Sequence, residues 1–265
     1  MNKPHRARKR FGQNFLHDSR IIHQIIMAIN PSPGDHVVEI GPGQGAITEP
    51  LLASQCRLDV VEIDRDLVSM LETRFAQNER FSLHSADALS FDFSALSSGE
   101  KLRIVGNLPY NISTPLLFHL MQQSAQIEDM FFMLQKEIVN RLQAKPGSKQ
   151  FGRLSIMIQI HCEVEALFDV DPECFQPQPK VMSSIVRLSP HRKQKYFIDD
   201  MELFEKVVKA SFAQRRKTIR NTLKELCDEE ALKAVDINPG SRAEALSIDD
   251  FVRLSNHLSA HKDAL

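Results

Sequence analysis

The stretch H-V-V-E-I-G-P-G-Q-G, His36 to Gly45, decides the fold. An apolar run reaches an acid and an isoleucine, and three glycines follow at alternate positions, Gly41, Gly43 and Gly45. The run reads as a strand. The glycines permit a tight turn into a helix, with no Cβ to block a ligand and with unpaired N–H groups at the helix start. Such a loop cradles a nucleotide-like cofactor at the carboxyl end of a strand. Gly41-x-Gly43-x-x-Ala46 also satisfies the loose dinucleotide fingerprint, so on this stretch alone a nicotinamide-dependent dehydrogenase competes. Pro50 follows closely and leaves the helix boundary open.

The alternation begun there continues in both directions. Upstream, Asp18 or Ser19 can cap a helix whose Ile22, Ile25, Ile26 and Ile29 recur at helical spacing and which ends at Asn30-Pro31. Downstream, strand-like runs occur at Leu58 to Ile63, Phe81 to Leu83, Leu102 to Val105 and Met130 to Leu134, mostly separated by helical patterns. Strand and helix in alternation predict parallel βαβ units and a doubly wound α/β sheet. After residue 150, Ile156 to Ile160 and Ser184 to Leu188 read as two more strands joined by a proline-bearing loop, which predicts a hairpin-like, antiparallel end to the sheet. From about residue 200 the pattern is helical only. The expected organisation is a basic leader over 1–17, an α/β domain over 18–190 and a small all-helical domain over 191–265.

In 265 residues, no apolar run approaches the roughly 18 needed to span a bilayer. The basic N-terminus leads into F-G-Q-N-F-L-H-D and not into a signal-peptide core. A cytoplasmic protein without membrane association is expected. Cys56, Cys162, Cys174 and Cys227 show no C-x-x-C or paired-His spacing, so they read as buried free thiols, and no metal site is expected. The formal net charge is −1, but its distribution is uneven. Lys3, Arg6, Arg8, Lys9 and Arg10 crowd the first ten residues without an acid, and residues 192–224 hold Arg215, Arg216, Lys217 and Arg220. Local basic clusters in a neutral chain suit a polyanion gripped at defined places, although each cluster alone reads equally well as solvated surface. If residues 203–224 form one helix, Lys206, Lys209, Arg216, Lys217, Arg220 and Lys224 share a stripe suited to the phosphates of a structured RNA.

Acids at later strand ends add to the glycine loop. Glu62 closes the second strand about twenty residues beyond the glycines, where a carboxylate can bind both hydroxyls of a ribose. Asp87 follows the third strand and can accept a hydrogen bond from an adenine amino group. Each alone is an ordinary strand-end acid; together with the loop they outline an adenosine pocket. The fourth strand ends in V-G-N-L-P-Y, residues 105–110. Taken alone this is a turn. Facing the same crevice, the Asn107 side-chain carbonyl and the Leu108 backbone carbonyl can accept from the two N–H bonds of an adenine amino group and draw it towards tetrahedral geometry. Pro109 fixes the direction of the Leu108 carbonyl, and Tyr110 offers a flat surface to an extruded base.

With these motifs in place, R-K-R-F-G-Q-N-F-L (residues 8–16), the glycine loop, N-L-P-Y-N-I-S-T-P (107–115) and F-Q-P-Q-P-K-V-M-S-S (175–184) resemble the KsgA/RsmA family of bacterial small-subunit rRNA adenine dimethyltransferases, over nearly the whole chain. The resemblance implies a seven-stranded, mostly parallel methyltransferase sheet with an antiparallel terminal strand, and S-adenosylmethionine (SAM) as methyl donor. It also implies dimethylation of the N6 of two adjacent adenosines near the 3′ end of 16S rRNA in the small ribosomal subunit, late in assembly, by a monomer. By motif, Gln13, Asn14 and Leu16 join Gly41, Gly43, Glu62, Asp87 and Asn107 at the cofactor. Asn107, Leu108, Tyr110 and Phe175 form the catalytic pocket, with Phe175 closing it opposite Tyr110. Arg8, Lys9, Arg10, Arg216, Lys217 and Arg220 are expected on RNA. On spacing alone, Phe175 is a loop anchor and Gln13-Asn14 a turn. A dehydrogenase leaves N-L-P-Y without a role. An RNA-binding assembly factor with a vestigial site, and dimethylases of large-subunit rRNA, remain alternatives.

Overall fold

A computed structural model describes Arg8 and residues 12–261 of the chain. It divides into two compact units, one formed by Met1–Val139 and Glu163–Pro190, the other by Asn140–Cys162 and His191–Leu265.

In the first unit a short strand β1 (Phe15–Leu16) leads into α1 (Ser19–Ile29). Asp18 caps α1 by accepting from the N–H groups of Arg20 and Ile21, and Asn30 ends it in the left-handed conformation at φ 47°. Ile25 and Ile29, four apart, are buried from one face. The chain then alternates: β2 (His36–Ile40), α2 (Thr48–Ala53), β3 (Arg57–Glu62), α3 (Arg65–Phe75), β4 (Phe81–Ser85), β5 (Leu102–Asn107), α4 (Ser113–Gln122) and β6 (Ile127–Gln135). β2 is buried at all five positions, which is why its sequence shows no regular apolar–polar alternation.

After α5 (Lys136–Leu142) and α6 (Arg153–Gln159) come β7 (Cys162–Val170), β8 (Phe175–Gln176) and β9 (Ser183–Pro190). The seven-stranded sheet has the order β4-β3-β2-β5-β6-β9-β7. β4, β3, β2, β5 and β6 pair in parallel, and β9, the last strand among the described residues, runs antiparallel to β6. The expected doubly wound, mostly parallel sheet is therefore present. β5 and β2 approach so closely that a Cβ on Gly106 would stand 2.6 Å from the Ile40 carbonyl oxygen. Glycine is required at that crossing.

Ile156 to Ile160, expected as a strand, lies in α6 and its C-cap, and the strand the sheet needs is β7. Leu154, Ser155, Ile156, Met157 and Ile158 are all buried, so a helix enclosed on every side shows no amphipathic period. β7 escaped notice because its exposed Glu163, Glu165 and Ala166 dilute the apolar signal. α6 belongs to the second unit, so the segment Asn140–Cys162, read from sequence as part of the α/β domain, groups with the later helices.

Those helices are α7 (Met201–Ser211), α8 (Ile219–Thr222), α9 (Glu229–Ala234) and α10 (Ile248–Ala260). Asp200 caps α7 through the Leu203 N–H, and Ser247 and Asp250 form a capping box on α10. Phe204, Val207, Val208, Phe251 and Leu254 are fully buried, and the Phe212 ring lies 6.2 Å from Phe151 and 5.8 Å from Phe251. The single helix expected over 203–224 is broken between Ser211 and Ile219. Phe212, needed against Phe151 and Phe251, ends α7. The basic residues therefore do not form one continuous helical stripe. All four cysteines are buried and none is in a disulfide.

Candidate cofactor and target-base site

The carboxyl ends of the parallel strands enclose a cavity of about 190 Å³ in the first unit. This is where ligands bind in open α/β sheets, because the loops that follow the strands converge there. After β2, Gly41 and Gly43 take φ of +66° and +56°, conformations an L side chain rarely adopts. A Cβ on Gly43 would also stand 3.0 Å from the Phe15 ring, so the leader can lie against the loop only because glycine is there. The turn continues to Ile47, and α2 begins three residues after Gly45. The helix start expected directly behind the glycines is thus displaced, and Pro50 sits in the first turn of α2, where its missing N–H costs nothing.

Glu62 ends β3 and lines the cavity at 6% exposure. Its Oε1 accepts from the Ile63 and Asp64 N–H groups, both at 2.9 Å. Together with the Gly43 backbone N–H, which also acts on this carboxylate, they hold it fixed at the cavity wall. Burial raises its pKa, against the opposing pull of those backbone donors. Asp87 lines the cavity after β4, with Oδ1 held by the Leu89 N–H at 2.9 Å. On the leader, Gln13, Asn14 and Leu16 complete the lining. Gln13 is locked between Asp64, to which Nε2 donates at 3.1 Å, and the Arg8 N–H, which donates to Oε1 at 2.8 Å.

Asn107 ends β5, and its Nδ2 donates to the Asn14 carbonyl at 3.0 Å. That bond sets the amide orientation: nitrogen towards the leader, Oδ1 remaining as acceptor. Leu108 donates its N–H to Met133 at 3.2 Å, and no donor among the described residues engages its carbonyl. Two acceptors in consecutive residues, one held by the leader and one by β6, are therefore presented at one strand end. Tyr110 lines the same cavity, half-buried, with its hydroxyl 2.8 Å from Ser183 Oγ.

Phe175 is not brought to this cavity. It is 2% exposed and pairs with Leu16 across the β1–β8 ladder. It packs in the core with Leu16, Ile25, Val105 and Met133. The antiparallel pairing places Phe175 beside the leader that carries Gln13 and Asn14. Of the basic residues, Arg8 is committed within the protein: its guanidinium contacts Asp64 at 2.8 Å and also Asp66. Lys9 and Arg10 lie outside the described residues. In the second unit Arg216 and Lys217 are exposed in the turn before α8, and Arg220 pairs with Glu229 at 3.1 Å.

Three residues of the site escaped the sequence reading. Glu39, 2% exposed at the end of β2, lines the cavity, accepts from Thr48 Oγ1 at 2.6 Å, and is pushed up to about 7 by burial. Asp64 caps α3 while holding Arg8 and Gln13. Ser183 meets Tyr110. Only Glu39 carried a signal: an acid inside an otherwise apolar buried strand.

A family model described as "Ribosomal RNA adenine dimethylase" matches residues 4–260. A protein of Pseudomonas aeruginosa named "Ribosomal RNA small subunit methyltransferase A" is 57% identical over 256 residues, 96% of each chain. Its namesake in Aromatoleum aromaticum is 55% identical over 97% of this chain and 96% of its own. The crystal structure of a dimethyladenosine transferase from Plasmodium falciparum superposes with a TM-score of 0.81 over 94% of this chain and 98% of that one, at 24% identity, a likeness of fold. That of the 23S rRNA methyltransferase ErmE gives 0.71 over 93% and 100%, at 25% identity. The glycine loop that also fits a dinucleotide fingerprint thus sits in a methyltransferase sheet, and the chain belongs to the ribosomal RNA adenine dimethylase family.

Proposed function

We propose that this protein transfers methyl groups from SAM to the N6 atoms of two adjacent adenosines near the 3′ end of 16S rRNA, in the small ribosomal subunit and late in its assembly. The observation that carries the reading is the pair of acceptors at one strand end, Asn107 Oδ1 and the Leu108 carbonyl, in residues that line the same cavity as the strand-end carboxylate Glu62. The choice of small-subunit RNA is supported by identity. The chain shares 57% with a relative named for that substrate and 25% with a structure named for 23S rRNA, although both share the fold.

The residues present fit the donor. The buried Glu62 carboxylate at the strand end suits the ribose hydroxyls, the second carboxylate oxygen of Asp87 suits an adenine amino group, and the glycine turn lets backbone approach closely. SAM, when bound, supplies a methyl group made electrophilic by its sulfonium. The target amine is a poor nucleophile because its lone pair is delocalised into the purine ring. Asn107 Oδ1 and the Leu108 carbonyl accept its two N–H bonds and favour the pyramidal nitrogen, which leaves its lone pair available for the methyl group that SAM would supply, with the sulfonium as leaving group. The methylated nitrogen is acidic and releases its proton without a strong base, so preorganised acceptors replace general-base catalysis. Tyr110 receives the extruded base on its ring, and Arg216 and Lys217 meet RNA phosphates.

No helix among the described residues is long and apolar enough to cross a membrane, which suits a cytoplasmic enzyme. The test is incorporation of labelled methyl groups from SAM into small subunits of a strain lacking this activity. Label should appear as N6,N6-dimethyladenosine at two adjacent positions. Asn107→Ala should lower single-turnover transfer far more than RNA affinity. Label confined to large subunits, or none, would overturn the reading.

A further inference from the structure

We infer that Ser183 is a positioning residue for methyl transfer: through its hydrogen bond to the Tyr110 hydroxyl it holds the aromatic ring in the plane that receives the target adenine. The inference rests on the proposed role of Tyr110 as the surface for the base.

Tyr110 lies in the turn between β5 and α4, outside any regular element, so the backbone alone leaves its ring free to change rotamer. Two contacts remove that freedom. Ser113 Oγ donates to the Tyr110 carbonyl at 3.2 Å, fixing the root of the side chain. At the tip, the phenol and Ser183 Oγ stand 2.8 Å apart. A rigid planar side chain held at both ends has one orientation.

The anchor is itself immobile. Ser183 is fully buried, sits on β9 opposite Gln135 of β6, and is flanked by the Lys136 N–H bond to the Met182 carbonyl at 3.0 Å. It is absent from the cavity wall, whereas Tyr110 is part of it, so the serine meets substrate only through the tyrosine. Its hydroxyl has a reason to be there. A half-buried phenol needs a polar partner, and without Ser183 the ring would turn its hydroxyl towards water. The base stacked on a turned ring would no longer present its amino group to Asn107 Oδ1 and the Leu108 carbonyl, and in-line attack depends steeply on that placement.

The tether predicts a coupling that neither residue would show as an ordinary core contact. Single-turnover transfer at saturating SAM and small subunits is to be measured for wild type, Ser183→Ala, Tyr110→Phe, the double variant and Tyr110→Ala. SAM and subunit affinities are to be measured alongside. Loss of one neutral hydrogen bond corresponds to about a two- to tenfold slower transfer. Ser183→Ala and Tyr110→Phe should each show it, the double variant should be no slower than either single one, and affinities should be unchanged. Wild-type rates in Ser183→Ala or Tyr110→Phe, or losses that multiply in the double variant, overturn the tether. Should Ser183→Ala not fold, Tyr110→Phe removes the same hydrogen bond with Ser183 in place. Tyr110→Ala separates the two ideas: if it too transfers at the wild-type rate, the stacking role itself falls, and if it alone is slow, only the tether does.

Discussion

Glu39 is a carboxylic acid almost wholly removed from water, at 2% exposure. Burial, with Glu62 as a like charge nearby, pushes its carboxyl up to about 7 from 4.5. Between those values the unfolded chain releases the proton and the folded protein retains it, so stability falls as pH rises through that window and levels off above it. The full shift corresponds to about 3 kcal/mol. Glu39→Gln should abolish this component, so its urea-unfolding free energy should decline by about 3 kcal/mol less than that of wild type between pH 4.5 and 8. Parallel pH profiles for the two proteins would refute the assignment. At this scale the sequence was informative where chemistry follows a strand end. Glu62, Asp87 and Asn107 were found as polar residues at the ends of successive strand-like runs, and all three line the cavity. It was silent where a role depends on a partner remote in the chain. Nothing in spacing marks Ser183 as the neighbour of a tyrosine 73 residues away, and Phe175 is placed beside the leader by a ladder with Leu16 that no local pattern announces.

Among the elements, the five parallel strands were legible from their short apolar runs, whereas I-M-I-Q-I was read with the wrong period. Its helical signal lay in the polar positions: Ser155 and Gln159, four apart, share a face. Ser155 donates to the Arg141 carbonyl at 2.6 Å, and Gln159 to those of Leu142 and Ala144, satisfying the end of α5. Apolar counting ignores such residues. The glycine before Asn107 illustrates how one element positions another. With only 2.6 Å between its would-be Cβ and the Ile40 carbonyl oxygen, Gly106→Ala must push β5 away from β2, since a backbone oxygen has no rotamer to retreat into. Overpacking of this kind costs about 1–3 kcal/mol. The shift would carry Asn107 with it, so the urea midpoint and methyl transfer should fall together. A variant with wild-type stability would show that the sheet relaxes more freely than its pairing implies.

For the whole molecule, a net charge of −1 gives no general attraction to RNA, so any grip must come from particular cations. The fold decides which are available. Arg8 is taken by Asp64 and Asp66, Arg220 by Glu229, and Arg215 by the Lys149 carbonyl, with Glu244 at 3.6 Å. Arg216 and Lys217 are exposed, and no carboxylate among the described residues pairs with either. They lie in the turn between α7 and α8, so a short chain segment and not a helical stripe would present them to phosphate. Each phosphate that is no longer neutralised should lower the log–log salt slope of binding by about 0.7 to 1. Reversing both charges, Arg216→Glu with Lys217→Glu, should therefore weaken small-subunit binding at low salt and flatten the slope by about 1.5 to 2. Arg220→Glu should differ in kind, because it also leaves Glu229 facing a like charge and so lowers stability. SAM affinity should be untouched in the double variant, since every residue of the cofactor cavity belongs to the first unit. Subunit binding that keeps its full salt slope after the double reversal would leave Arg216 and Lys217 as solvated surface and return the RNA grip to the basic leader.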